Sequence, residues 1–225
     1  MAEGRPLATL LLVAAIATAA ALLVTASWEF SRERIAANER ARLIASLSSV
    51  LDPSLLDRDL DPVLLTVEDE TLLGTDEPVE VFVPVDGTTP LAAIFASVAP
   101  DGYNAPIELL IGIDIESGRI TGVRVVGHRE TPGLGDLIEI RKSAWILQFD
   151  GKSVDDPPAA AWAVTRDDGQ FDSITGATVT PRAVIGAVRN TLLYFEAHRD
   201  ELIARAEREA EARSEAESGS TQAPE

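Results

Sequence analysis

The feature that most constrains this chain is its run from Leu7 to Val24, LATLLLVAAIATAAALLV, which contains no charged residue. As a helix these residues reach about 27 Å, close to the thickness of a bilayer's hydrocarbon core. Thr25 to Ser27 extend the run to Trp28, a residue type that settles at the membrane–water interface. Residues 1–28 therefore read as a single-pass membrane anchor. Val24-Thr25-Ala26 also offers small residues near the end of the run, which leaves a cleaved signal peptide open, although the run is long for one. Arg5 precedes the run, whereas Arg32, Arg34, Arg40 and Arg42 follow it. That bias alone would keep the remainder in the cytoplasm, but long domains cross largely regardless of local charge.

Residues 29–74 read as a membrane-proximal, mainly helical segment. From Glu29 to Leu51, Arg and Glu share one side of a helix, and Ile35, Leu43, Leu47 and Leu51 share the other. Asp52-Pro53 ends it, and Asp57 to Gly74 reads as loop with a short helix. Residues 75–213 read as one α+β domain with an antiparallel sheet and a long C-terminal helix. Val79 to Val85 predicts a strand, with Pro84 suggesting a sheet edge or a strand end. Leu91 to Val98 is a second apolar run. Ile107 to Ile115 and Arg119 to Val126 predict a hairpin through Glu116-Ser117-Gly118. Trp145 to Phe149 and Ala160 to Val164 predict further strands, which makes Trp145 and Trp162 core residues. The last helix starts at Thr180 as N-cap with Pro181 behind it, and Val184, Val188, Leu192 and Phe195 form its apolar stripe. Past Arg199 it reads as solvated, with His198 on its polar part, and 214–225 reads as a disordered tail.

Composition removes several functions. The formal net charge of −18 excludes nucleic acid as a partner, because binding phosphates requires a basic patch that releases counterions. It also opposes docking of the soluble part on anionic headgroups. With no cysteine, the chain lacks thiolates for an iron–sulfur cluster, a disulfide or a catalytic thiol. Its two histidines, His128 and His198, fall in no metal-binding spacing, so no metal site is expected. Redox chemistry here would need an organic cofactor.

Two segments can carry chemistry. Asp172 to Pro181, DSITGATVTP, sets hydroxyls and small residues before a helix N-terminus, where Gly176 and Ala177 let backbone N–H groups approach an anion. It lacks the Lys and spacing of a P-loop. An ordinary Thr-rich turn with an N-cap accounts for the same residues. His128 to Gly135, HRETPGLG, follows a strand, and Pro132, Gly133 and Gly135 force a narrow loop that can bring backbone against a flat ring. Glu130 and Thr131 supply polar groups at its edge. A plain connecting turn is the other reading.

Together, in this order and spacing, the two segments resemble the signatures of the FMN-binding domain in the G subunit of the Rnf electron-transport complex, called Rsx in some bacteria. The C subunit of the sodium-pumping NADH:quinone reductase is a relative of that family. GYNAPIELLIGID, from Gly102 to Asp114, is similar to the strand before the second signature. The resemblance extends from Leu7 to about Arg199.

The resemblance implies that FMN is held covalently, as a phosphoester on Thr178, the last position of Thr-Gly-Ala-Thr. Ser173, Thr175 and Thr180 are the competing hydroxyls, and Asp172 matches the motif's leading acid. Thr175, Gly176 and Ala177 would flank the phosphate, and Glu130, Thr131 and Leu134 would surround the ring. The attachment would be made by a separate flavin transferase that takes FMN from FAD with Mg²⁺. The chain itself would carry no catalytic residue and pass electrons to the other Rnf subunits, redox-driven ion pumps of the bacterial inner membrane, with its FMN domain on the periplasmic side. A membrane-anchored flavin sensor or regulator and a cofactor-free structural protein are the alternatives.

Overall fold

The computed structural model describes Thr18, residues 45–55 and residues 60–220. Among the described residues six strands arrange the domain: β1 (Asp61–Val67), β2 (Val79–Asp86), β3 (Thr89–Pro90), β4 (Ala92–Ala99), β5 (Ile107–Asp114) and β6 (Ile120–Gly127). They make one antiparallel sheet in the order β1-β2-β4-β5-β6, with β3 paired to β2. The predicted hairpin is β5–β6, and the Asp114 carboxylate fastens its turn by accepting from the Ser117 N–H at 2.8 Å. The single turn α1 (Glu70–Leu73) and the long α2 (Val179–Ser220) complete the frame.

The expected stripe of α2 is the packed one. Val184, Val188, Leu192 and Phe195 are fully buried, each worth about 1.5–3 kcal/mol. Phe195 and Tyr194 meet the Phe95 ring of β4 edge-on, with centroids 6.4 and 6.0 Å away. Packing of this face, more than propensity, holds so long a helix in place.

The opposite sheet face buries Phe82, Ile94 and Leu110 against Leu47 and Val50. Gly112 and Gly122, directly paired across β5 and β6, make room for this segment. A Cβ on Gly112 would collide with the Val50 carbonyl oxygen, to which the Thr121 hydroxyl donates.

Several expectations are corrected. The region 29–74 is not helical throughout: residues 45–48 are helical, but β1 occupies 61–67 and pairs with β2 along its whole length. The domain accordingly begins ahead of residue 75, and Ser46–Glu225 forms one compact unit, with Met1–Ala45 as the other. Pro84 lies on an interior strand; it is tolerated because the β2–β4 ladder covers only Val81 and Phe82. Trp145–Phe149 is a 3-10 helix rather than a strand, with Trp145, Ile146 and Phe149 buried. Ala159–Ala161 is another, and Val164 makes only a single bridge to Phe171. Trp145 and Trp162 are core residues, as expected.

The far part of α2 is not simply solvated. Leu202, Ala206 and Ala210 are buried, and Arg205 and Arg213 donate to the carbonyls of Thr66 and Pro62 at 2.8 and 3.1 Å. Eight helical residues rise about 12 Å and four strand residues span about 13 Å, so the two arginines match alternate outward carbonyls of edge strand β1. They occupy an edge that would otherwise invite strand addition. His198 stacks on Tyr194 at 4.3 Å rather than standing free in solvent. The helix also runs through 214–220, part of the expected tail, where Glu215 and Ala216 favour it; residues 221–225 lie outside the described residues.

The apolar run at 7–24, Thr18 apart, and most of the helix expected from Glu29 lie outside the described residues. Among the described residues no helix is long and apolar enough to cross a membrane.

Candidate functional site

Two loops approach each other at the end of β6 and the start of α2. The first leaves β6 at His128. His128 Nδ1 accepts the Glu130 N–H at 3.0 Å, so its proton sits on Nε2 and is donated to Glu139 Oε1, also at 3.0 Å. This folds the chain back and turns Glu130 inward. The loop closes when the Gly133 N–H donates to the buried Asp136 carboxylate at 2.6 Å. Lys142 balances that carboxylate at 3.4 Å.

The second loop is anchored by its backbone. The Asp172 N–H donates to Gln148 Oε1 at 2.8 Å and its carbonyl accepts from Trp145 Nε1 at 2.7 Å. Ile174 is buried beneath a turn closed by the Ala177 N–H on the Ile174 carbonyl. Gly176 takes φ +82° there, a conformation that strains other residues, and a Cβ would lie 3.0 Å from the Leu134 side chain. α2 begins at Val179, so Thr178, rather than Thr180, stands immediately before the helix.

Thr180 instead joins the loops. Its buried hydroxyl donates to Glu130 Oε2 at 2.5 Å, while Glu130 Oε1 accepts the Asn104 N–H at 3.1 Å. Both oxygens of a buried carboxylate are thus satisfied, as burial of such a group requires. Gly135 lies under this pair: a Cβ would sit 2.6 Å from Glu130 Oε2 and 3.0 Å from Thr180 Oγ1.

A cavity of about 320 Å³ lies between the loops, at the small end of ligand pockets, roughly 300–1,000 Å³. Glu130, Thr131, Leu134, Gly176, Ala177 and Thr178 all line it, with Gly135, Val179, Thr180 and Tyr103. Thr175 and Asp172 do not: both are exposed on the turn beside it. The Asp172 carboxylate makes no hydrogen bond or ion pair among the described residues, so the turn is fixed by the backbone of that residue and not by its acid.

Sequence reasoning missed Tyr103 and Val179, which line the cavity, and two residues that support it. Asn104 ties Gly102–Pro106 to the first loop, also donating through Nδ2 to the Arg129 carbonyl at 2.9 Å. Its signal was its place in GYNAP. Arg166 approaches from a turn at Thr165–Asp167, its Nη1 lying 3.5 Å from Thr178 Oγ1; no pattern marked it. Among the described residues no cluster could hold a metal ion.

His128 and Arg141, at 3.0 and 2.8 Å, hold the Glu139 carboxyl below its ordinary range. A carboxylate lowered on folding contributes stability above its unfolded pKa, about 4.3, and loses it as pH falls through the folded value. Glu139→Gln is expected to flatten the decline in thermal midpoint between about pH 5 and pH 3. Superimposable acid profiles for the two proteins would exclude the linkage.

The described fold and site have relatives. A family model described as an FMN-binding domain matches residues 102–193. The chain is 42% identical over 194 residues to the G subunit of the ion-translocating oxidoreductase complex of Shewanella loihica, covering 86% of this chain and 90% of the relative. The corresponding G subunit of Pseudomonas aeruginosa (strain UCBPP-PA14) is 46% identical over 183 residues, covering 81% and 85%, and that of Aliivibrio fischeri (strain MJ11) is 36% identical over 193 residues, covering 86% and 91%. A crystal structure of Shewanella oneidensis NqrC aligns with a TM-score of 0.45 at 21% identity, over 71% of this chain and 74% of that one. The two signature segments, the cavity they enclose and identity at this level along most of the chain lead to one assignment: this protein belongs to the family of G subunits of Rnf-type ion-translocating oxidoreductase complexes and carries its FMN-binding domain.

Proposed function

We propose that this chain is the membrane-anchored electron carrier of such a complex, holding FMN through a phosphoester on Thr178. The anchor is the apolar run at 7–24, and the domain faces the periplasm from the bacterial inner membrane. Its partners are the other subunits of the complex, and a flavin transferase modifies it. The observation that carries the reading is the convergence of Thr178 and the His128–Gly135 loop on one cavity.

The residues fit the group. Thr178 offers a half-buried hydroxyl at the start of a 42-residue helix, whose first N–H groups and dipole favour a phosphate. Gly135 and Gly176 keep the floor clear where a Cβ would meet Glu130 or Leu134. Tyr103, Leu134 and Val179 leave apolar surface exposed at the rim, 67%, 41% and 41% respectively, which suits a flat aromatic ring. FMN supplies electron transfer at that ring when bound. A link through phosphate leaves the ring's electronics to its surroundings, here Glu130, Thr131 and Leu134. Glu130 is held in place by Asn104 and Thr180, so its carboxyl group is fixed in position beside the cavity.

Co-expression of the full chain with a flavin transferase tests this. A band that fluoresces on a denaturing gel, and whose flavin peptide maps to Thr178, is the expected result. A dark band from cells whose transferase labels a known acceptor would overturn it.

A further inference from the structure

The chain carries 37 acidic and 19 basic residues, so most cations near its site should be neutralised by a carboxylate. Asp167 illustrates this: it receives Nε and Nη2 of Arg182 at 2.6 and 2.7 Å, a bidentate fork. That pairing engages the acid adjacent to Arg166 in the chain. Arg166 itself makes no ion pair among the described residues. Its Nη1 instead lies 3.5 Å from Thr178 Oγ1, and its N–H lies 3.4 Å from Ser173 Oγ, which fastens its turn to the Thr178 loop. A guanidinium with no ion pair of its own among the described residues, its neighbour Asp167 already forked by Arg182, thus lies against one hydroxyl of a strongly anionic protein.

We propose that Arg166 is the phosphate-binding residue of the flavin attachment site, acting on the incoming FAD and then on the finished ester. The inference rests on Thr178 being the acceptor. In the attachment, Thr178 Oγ attacks the flavin-side phosphorus of FAD. The phosphoanhydride bond breaks, AMP leaves with the bridging oxygen, and the hydroxyl proton is released. The product is a phosphodiester monoanion between Thr178 and riboflavin. The guanidinium stands beside the atom that becomes the ester oxygen. It offsets the chain's repulsion of a dinucleotide dianion, steadies the charge that builds on the phosphoryl oxygens, and afterwards pairs with the diester.

The test uses full-length chain in detergent with purified flavin transferase, FAD and Mg²⁺, measuring the initial rate of covalent flavin incorporation at varied chain concentration. Arg166→Gln is expected to lower kcat/KM for the chain about ten-fold, the loss of one charge-assisted hydrogen bond. Arg166→Lys is expected to recover part of it, and added salt to slow wild type more than Arg166→Gln. The thermal midpoint of both variants should match wild type, since Arg166 is exposed. Incorporation into Arg166→Gln at the wild-type rate overturns the proposal. So does a slowed rate with a lowered midpoint and no recovery by Lys, which would make Arg166 a purely structural residue. If wild type accepts no flavin, the Thr178 reading falls first and this one with it; if wild type is labelled and Arg166→Gln equals it, this one falls alone.

Discussion

Thr178→Ala is expected to abolish covalent flavin completely while leaving the domain folded. In the proposed attachment this hydroxyl is the acceptor atom, and no neighbour is placed to replace it. Thr180 is fully buried and its proton is donated to Glu130. Ser173 is held against Thr165 at 3.2 Å. Thr175 is exposed on the turn but lies outside the cavity. Loss of an N-cap hydroxyl typically costs about 0.5–2 kcal/mol. Thr178 should fall below that range, because its Oγ1 receives only the long contact from Arg166 and caps no backbone N–H among the described residues. The contrast to be measured is therefore a dark gel band at a nearly unchanged thermal midpoint. Thr178→Ser should keep the label, as should Thr175→Ala. Flavin retained on Thr178→Ala, or lost on Thr175→Ala, would assign the ester to another hydroxyl.

The site was legible because most of it is local. Of the residues that line the cavity, all but Tyr103 lie in two short stretches, 128–135 and 172–180, whose glycines and hydroxyls announce narrow turns. Its supporting parts are tertiary. Asn104 and Arg166 enter only because distant turns fold against those stretches, and neither follows a period or a spacing. The same division runs through the fold. The β5–β6 hairpin and the α2 stripe carry clean turn and helix signals. Strand β1 hides its alternation because Leu64, on the outward face, is apolar like Val63 and Leu65 within. The stretch from Trp145 to Phe149 is too short for periodicity to separate a strand from a helical turn. Ala206 and Ala210 are small enough to read as filler, although they let α2 close on β1.

The 3-10 turn from Trp145 to Phe149 is where the largest loss of stability is expected. Phe149 is fully buried, stacked on Phe171 at 4.8 Å and edge-on to Trp145 at 5.6 Å, with Trp162 at 6.4 Å. Phe149→Ala opens a cavity among these rings and should cost about 3–5 kcal/mol, a large share of the roughly 5–15 kcal/mol that a domain possesses. The damage reaches the site by a short route. The turn that Phe149 pins supplies both anchors of Asp172, Trp145 Nε1 and Gln148 Oε1. When that turn loosens, the Thr178 loop loses the support that holds it beside the cavity. Phe149→Ala should thus lower the urea midpoint and the flavin incorporation together, whereas Thr178→Ala removes the label alone. Phe149→Leu, which restores much of the volume, should recover most of both. A Phe149→Ala protein within about 1 kcal/mol of wild type would mean that the aromatic cluster is not the support of the loop. A destabilised protein that still accepts flavin at the wild-type rate would mean that the loop is held by Thr180 and Glu130 instead.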